Sequence, residues 1–306
     1  MSRLEIWAAT PTPFDQDGRL DLSVIEAQAE HLHSAGVFGA FVVGTTGEYP
    51  SLTTQERRGL LEAWAAVRPD GFGLAAQVGS NDLAQAAELA AHATDHGVDL
   101  VAATAPFYGE APRVELVVDH LARIAEAAGE TPMCYYHIPS MTGSTHLPAD
   151  VVTAARERIP TLAGVKFTDE DLIECDRTRA TGVRVYFGRD ELLPAGLAIG
   201  VEAVIGSLYN GLAPVAHRVV EAYDAGDPER AYELHRPFRE IAAVAGRHGG
   251  LGFVKELMNR LGPDAGSPRT PWGPLDATAI AEVEALAARL RVAVEQAGQA
   301  GQAGQS

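Results

Sequence analysis

Short apolar runs of four to eight residues alternate with longer amphipathic stretches along the whole chain. The runs fall at residues 6–11, 37–43, 72–78, 98–105, 133–136, 162–167, 183–187 and 201–205. Most are nearly continuous in apolar residues, the pattern of parallel strands covered on both faces. Between them the apolar positions follow a helical period, with terminal signals. Thr53 and Glu56 have capping-box spacing, Asn81 or Asp82 can cap the following helix, and Gly36, Gly97, Gly129 and Gly200 stand where helices should stop. Eight strands alternating with helices predict an α/β fold, a (β/α)8 TIM barrel, over residues 1–226. A helical extension over 227–296 follows, with helices at 228–248, 252–261 and 277–295 packed on the barrel or on a partner subunit. The Ala-Gly-Gln repeat at 297–306 predicts a disordered tail.

Composition narrows the chemistry. The 306 residues are enough for a full core, and the net charge of −17 disfavours nucleic acid and anionic membranes as partners. An anionic substrate must therefore be met by local donors. Cys134 and Cys175 make neither a disulfide framework nor a metal-ligand cluster. Neither a signal peptide nor a bilayer-spanning stretch is visible, so the expected location is cytoplasmic. The histidine pairs His31/His33 and His92/His96 read as solvated helix residues.

Lysine is where the pattern becomes specific. The chain has two, Lys166 and Lys255. Lys255 falls in a helical pattern and asks for no special role. Lys166 lies inside the apolar run Leu162-Ala163-Gly164-Val165-Lys166-Phe167, where an amine pays for desolvation. It is either a strand-end lysine reaching to solvent or a nucleophile for a Schiff base with a carbonyl substrate. In barrels, functional groups collect at the carboxyl ends of the strands, and those ends are polar here. Strand two runs into Gly44-Thr45-Thr46-Gly47-Glu48, a turn able to aim donors at an anion. Strand four runs into Phe107-Tyr108 and strand five into Tyr136-His137-Ile138-Pro139. Lys166 and Thr168 end strand six, Gly188-Arg189-Asp190-Glu191 follow strand seven, and Gly206-Ser207 end strand eight. A site that binds a small oxygen-rich anion and forms an imine fits this set.

Three segments, Gly44-Thr45-Thr46-Gly47-Glu48, Tyr136-His137-Ile138-Pro139 with Thr142-Gly143, and Gly164-Val165-Lys166, in this order and spacing, make the chain resemble the pyruvate-dependent class I aldolases of the dihydrodipicolinate synthase and N-acetylneuraminate lyase superfamily. The resemblance extends to about Pro274. It implies that Lys166 forms the Schiff base with the keto group and that the Tyr136 hydroxyl shuttles protons. It implies further that Thr45 and Thr46 hold the pyruvate carboxylate, and that Tyr108 lies near a subunit contact and joins the relay. A homotetramer is implied as well, with no cofactor and no metal in the reaction.

Within the superfamily, the synthases typically carry an arginine for the aldehyde's carboxylate where this chain has Met141, which disfavours that branch. Thr168, Gly188, Asp190, Glu191 and Ser207 match the lyase branch, where such groups hold a sugar's hydroxyls; the less favoured local reading of Asp190 and Glu191 is as helix N-terminal acids. The resemblance thus implies cleavage of sialic acid to N-acetylmannosamine and pyruvate. The alternative is another pyruvate aldolase acting on a different sugar acid or aldehyde, with Arg189 and Tyr49-Pro50 reshaping the pocket. A metal-dependent barrel aldolase and a non-catalytic keto-acid sensor are the readings from other classes.

Overall fold

A computed structural model of the chain describes residues 4–303, with side chains through 299. Eight parallel strands close into one barrel in sequence order: β1 Glu5–Ala9, β2 Gly39–Val42, β3 Gly73–Gln77, β4 Leu100–Thr104, β5 Met133–His137, β6 Leu162–Phe167, β7 Arg184–Phe187 and β8 Ala203–Gly206. Each overlaps one of the eight expected runs. Helices cross between consecutive strands and cover the outside. Side chains alternate faces along a strand, and two packed layers result. Ile6, Ala8, Ala40, Val42, Val101, Ala103, Tyr135, Val165 and Phe167 face the helices. Trp7, Ala9, Phe41, Ala102, Cys134, Tyr136, Tyr186 and Ile205 form a second, separate cluster on the opposite faces, inside the barrel. Trp7 and Tyr186 pack edge to face there, ring centroids 6.3 Å apart. The barrel is a filled core.

The helix-end signals work as their chemistry requires. Thr53 and Glu56 form a reciprocal capping box on the helix Thr54–Val67. Asp82, not Asn81, caps Leu83–Asp95; the Asn81 amide instead clamps the backbone of Phe107 from both sides. The four helix-stopping glycines all have positive φ.

The C-terminal region departs from expectation in two places. The helix expected over 228–248 is two, Pro228–Leu234 and Arg236–Ala245, broken at His235 ahead of Pro237. The last helix, Ala277–Ala303, runs through most of the repeat expected to be disordered. Alanine and glutamine favour helix strongly enough to carry the interspersed glycines, each costing about 1 kcal/mol. Upstream, Ala279, Val283, Leu286, Ala287 and Leu290 anchor this helix as a buried stripe. Residues 304–306 of the expected tail lie outside the described residues. Among those described, no helix is long and apolar enough to cross a membrane.

Candidate active site

Strand register builds the centre of the site. Tyr136 on β5 is directly opposite Lys166 on β6, so both side chains point into the barrel. Both are buried. The Lys166 amine donates to Thr168 Oγ1 at 2.9 Å and sits 4.0 Å from the centre of the Tyr136 ring. The Tyr136 hydroxyl is 3.1 Å from Thr45 Oγ1, and Thr46 Oγ1 is 2.6 Å from Ser207 Oγ. Hydroxyls from four strand ends thus gather around one primary amine.

These groups open into a cavity of about 310 Å3 at the carboxyl ends of the strands. Thr45, Thr46, Tyr136, Lys166, Thr168, Gly188, Asp190, Glu191 and Ser207 all line it. Gly188 is required by close approach: a Cβ there would lie 2.2 Å from Thr168 Oγ1 and 3.2 Å from the Lys166 amine. Met141, more than half exposed, joins the lining.

Asp190 is more than a helix N-terminal acid. Its Oδ2 accepts from the Leu208 backbone N–H at 2.8 Å, while its buried Oδ1 has no partner and presses against Gly206, whose Cβ would fall 1.4 Å away. Burial, reinforced by the neighbouring Glu191, lifts this carboxyl to about 7 against the pull of the Leu208 N–H, Lys166 and Arg189. Arg189 is tied to Glu191 at 2.9 Å and also to Glu170. Its charge is therefore answered by carboxylates of the loops after strands six and seven.

Two expected contributors are elsewhere. Tyr108 is fully exposed, with φ of 72°, and does not line the cavity. Tyr49 turns into the core, edge to face with Phe107 at 6.4 Å and beneath the Arg57 guanidinium, so it does not shape the pocket.

Three features escaped the sequence reading. Lys255 is no ordinary helix lysine: it is buried, its amine donating to Glu48 Oε1 and to the Thr12 carbonyl, each at 2.8 Å. Glu48, buried in the left-handed conformation with φ of 57°, also accepts from the Arg269 N–H at 2.8 Å. Scarcity of lysine was a usable signal for both lysines. His235 is buried, its ring bonded to the Asp190 carbonyl at 2.8 Å. Arg239 donates to His235 Nδ1 at 3.3 Å; a guanidinium has only donors, so Nε2 carries the proton and donates to the carbonyl. Burial pulls this imidazole down to about 4. Pro237 was its only trace in the sequence. Finally, Ile241, Ala242, Ala245, Leu251 and Val254 of the C-terminal helices form an apolar wall of the cavity.

The profile of the Dihydrodipicolinate synthetase family matches residues 3–290. N-acetylneuraminate lyase of Gallus gallus is 35% identical over 275 residues, covering 86% of this chain and 88% of that protein. The solved structure of Proteus mirabilis N-acetylneuraminate lyase superposes with a TM-score of 0.90 at 32% identity, covering 94% of this chain and 98% of that one. That of N-acetylneuraminate lyase (sialic acid aldolase) from Aliivibrio salmonicida gives 0.89 at 31% identity, with 96% and 98% covered. With the barrel, the register that joins Tyr136 to Lys166 and a profile match over nearly its whole length, the chain belongs to the dihydrodipicolinate synthetase family.

Proposed function

We propose that this protein is an N-acetylneuraminate lyase, cleaving sialic acid to N-acetylmannosamine and pyruvate through an imine on Lys166. The observation that carries this reading is the buried Lys166 amine between Thr168 and the Tyr136 ring, in a cavity lined by hydroxyls and carboxylates. Similarity to N-acetylneuraminate lyases over most of the chain supports the substrate, as does Met141 in place of an anion-binding arginine.

The Lys166 amine adds to the keto carbon of the open-chain sugar acid, and loss of water leaves a protonated imine. The carbon–carbon bond between the α and β carbons then breaks. Its electron pair passes into the imine to give an enamine, while the β hydroxyl gives up its proton and becomes the aldehyde of N-acetylmannosamine. Tyr136, coupled to Thr45 at 3.1 Å, moves that proton. Protonation of the enamine and hydrolysis of the imine release pyruvate and the free amine. Thr45 and Thr46 hold the pyruvate carboxylate, a local answer to the chain's negative charge. Thr168, Gly188, Asp190, Glu191 and Ser207 surround the sugar portion, and the cavity's size suits such a ligand.

In this reading residues 1–226 are the catalytic barrel and 227–296 its helical extension, working as a homotetramer in the cytoplasm. Tyr108, exposed in the single chain, meets a partner subunit and extends the proton relay.

The test is pyruvate release from N-acetylneuraminate, with borohydride trapping, in wild type and Lys166→Ala. Release and trapping that both vanish in the variant support the assignment. Trapping retained in Lys166→Ala rejects Lys166 as the imine-forming residue. Trapping in wild type without release from this sugar rejects the substrate and directs assays to other sugar acids.

A further inference from the structure

Away from the barrel mouth, Glu62, His92 and His96 bring one ligand atom each within 4.8 Å of one another. Glu62 belongs to the helix Thr54–Val67, His92 to Leu83–Asp95, and His96 caps the latter's C-terminus. The four-residue spacing puts both imidazoles on one face, with ring centroids 4.3 Å apart. His92 is only 8% exposed. Its Nε2 stands 3.2 Å from Glu62 Oε1 yet makes no hydrogen bond, a costly state for a buried ring nitrogen. His96 is already oriented: its Nδ1 lies 2.9 Å from the His92 carbonyl. A carbonyl only accepts, so Nδ1 holds the proton and Nε2 presents a lone pair, the arrangement that fixes a metal-ligating imidazole.

The surroundings suit a cation. Arg58 is a neighbouring cation that bears on His92. Arg58 is itself paired to Glu88 at 2.8 Å. Metal–ligand distances of ~2.0–2.2 Å would bring the three atoms to about 3.4 Å from one another. Glu62, half exposed, has the freedom to close that gap.

The geometry points to a divalent transition-metal site, of the zinc class, formed by Glu62, His92 and His96 and joining the second and third β/α helices outside the catalytic centre. Two imidazoles and one carboxylate favour zinc, nickel or copper over calcium or magnesium. A fourth position is left for water. Bound metal links two neighbouring helices and stabilises the folded barrel by mass action.

The experiment uses untagged full-length protein dialysed against chelator, titrated with Zn2+ alone by calorimetry, with thermal unfolding followed in parallel. One equivalent binding in the micromolar range or tighter, with a raised Tm, is expected. The variants His96→Ala and Glu62→Gln, neither replacing a buried side chain, should each weaken binding about tenfold or more and lose the Tm shift. Co2+ should give the intense visible bands of a tetrahedral site in wild type and not in His96→Ala. No saturable binding at submillimolar zinc overturns the site. So does equal affinity and stoichiometry in wild type and both variants, which places the metal on other histidines.

Discussion

Lys255 Nζ lies 2.8 Å from Glu48 Oε1, with both side chains almost wholly excluded from solvent. The pair joins the end of the turn that carries Thr45 and Thr46 to the helix Leu251–Asn259, whose Leu251 and Val254 wall the cavity. Removing one partner of a buried ion pair strands the other charge, at a cost of about 3–5 kcal/mol. Lys255→Met should lower unfolding stability by that order in urea and weaken pyruvate binding, since the threonine turn loses its tether. Adding Glu48→Gln should restore part of the stability. An unfolding midpoint unchanged by Lys255→Met would mean that the pair does not hold the turn.

Tyr136→Phe removes one oxygen and leaves the ring under the Lys166 amine. Imine formation should persist, read as borohydride-trapped pyruvate. Cleavage should slow by roughly 10²–10⁴, the usual contribution of a positioned acid–base group. Near-normal kcat would move the proton transfer to another hydroxyl.

The barrel was legible because each strand is buried on both faces and therefore apolar, while each helix shows one face. The Lys166 site was legible because a charged residue interrupts such a strand. What stayed hidden depends on contacts between distant segments. Lys255 looked ordinary because burial of a helix face by Glu48, 207 residues away in sequence, leaves no local pattern. His235 and the apolar wall around Ile241 and Val254 were hidden in the same way. Tyr108 shows the converse: its role comes from the resemblance alone, and in the single chain its side chain touches nothing that would assign one.

Glu191 lines the cavity and is paired to Arg189 at 2.9 Å. Its second oxygen remains available to a substrate hydroxyl. Glu191→Gln should raise KM for the sugar substrate several-fold while leaving inhibition by pyruvate nearly unchanged, because pyruvate occupies the threonine side. Equal weakening of both would assign Glu191 to holding the loop.

Asp190 and His235 give opposite pH dependences to stability. The Asp190 carboxyl is raised from an ordinary 3.8 to about 7 in the folded state. Its contribution is full below pH 3.8 and is lost as pH rises through 7. The His235 imidazole is lowered from 6.5 to about 4. Its contribution is full above pH 6.5 and is lost as pH falls through 4. Across pH 4–6.5 the two nearly cancel, each with a slope near ~1.4 kcal/mol per pH unit. Relative to wild type, Asp190→Asn should therefore gain stability with rising pH, and His235→Gln should lose it. Urea unfolding at several values across this window measures both differences, and parallel curves for all three proteins would reject the assignment.

Gly188 has no room for a side chain beside the nucleophile. In Gly188→Ala the new methyl would meet Thr168 Oγ1 at 2.2 Å, and that hydroxyl is the acceptor at 2.9 Å that positions the Lys166 amine. Thr168 must rotate or the strand-seven end must shift, and either change moves the amine. Because a displacement of about 1 Å can cost about 10²-fold in rate, kcat should fall by one to two orders of magnitude. Stability should fall far less, since the clash sits at the cavity edge where Thr168 is only partly buried. The companion variant Gly188→Ala/Thr168→Ala removes the clashing oxygen but leaves the methyl 3.2 Å from the amine. It should relieve the worst of the clash, with the Cβ at 168 still 3.1 Å from the new methyl, yet recover little activity, because the oriented acceptor is gone. Full activity in Gly188→Ala would show that the amine is free to reorient and that Thr168 does not position it.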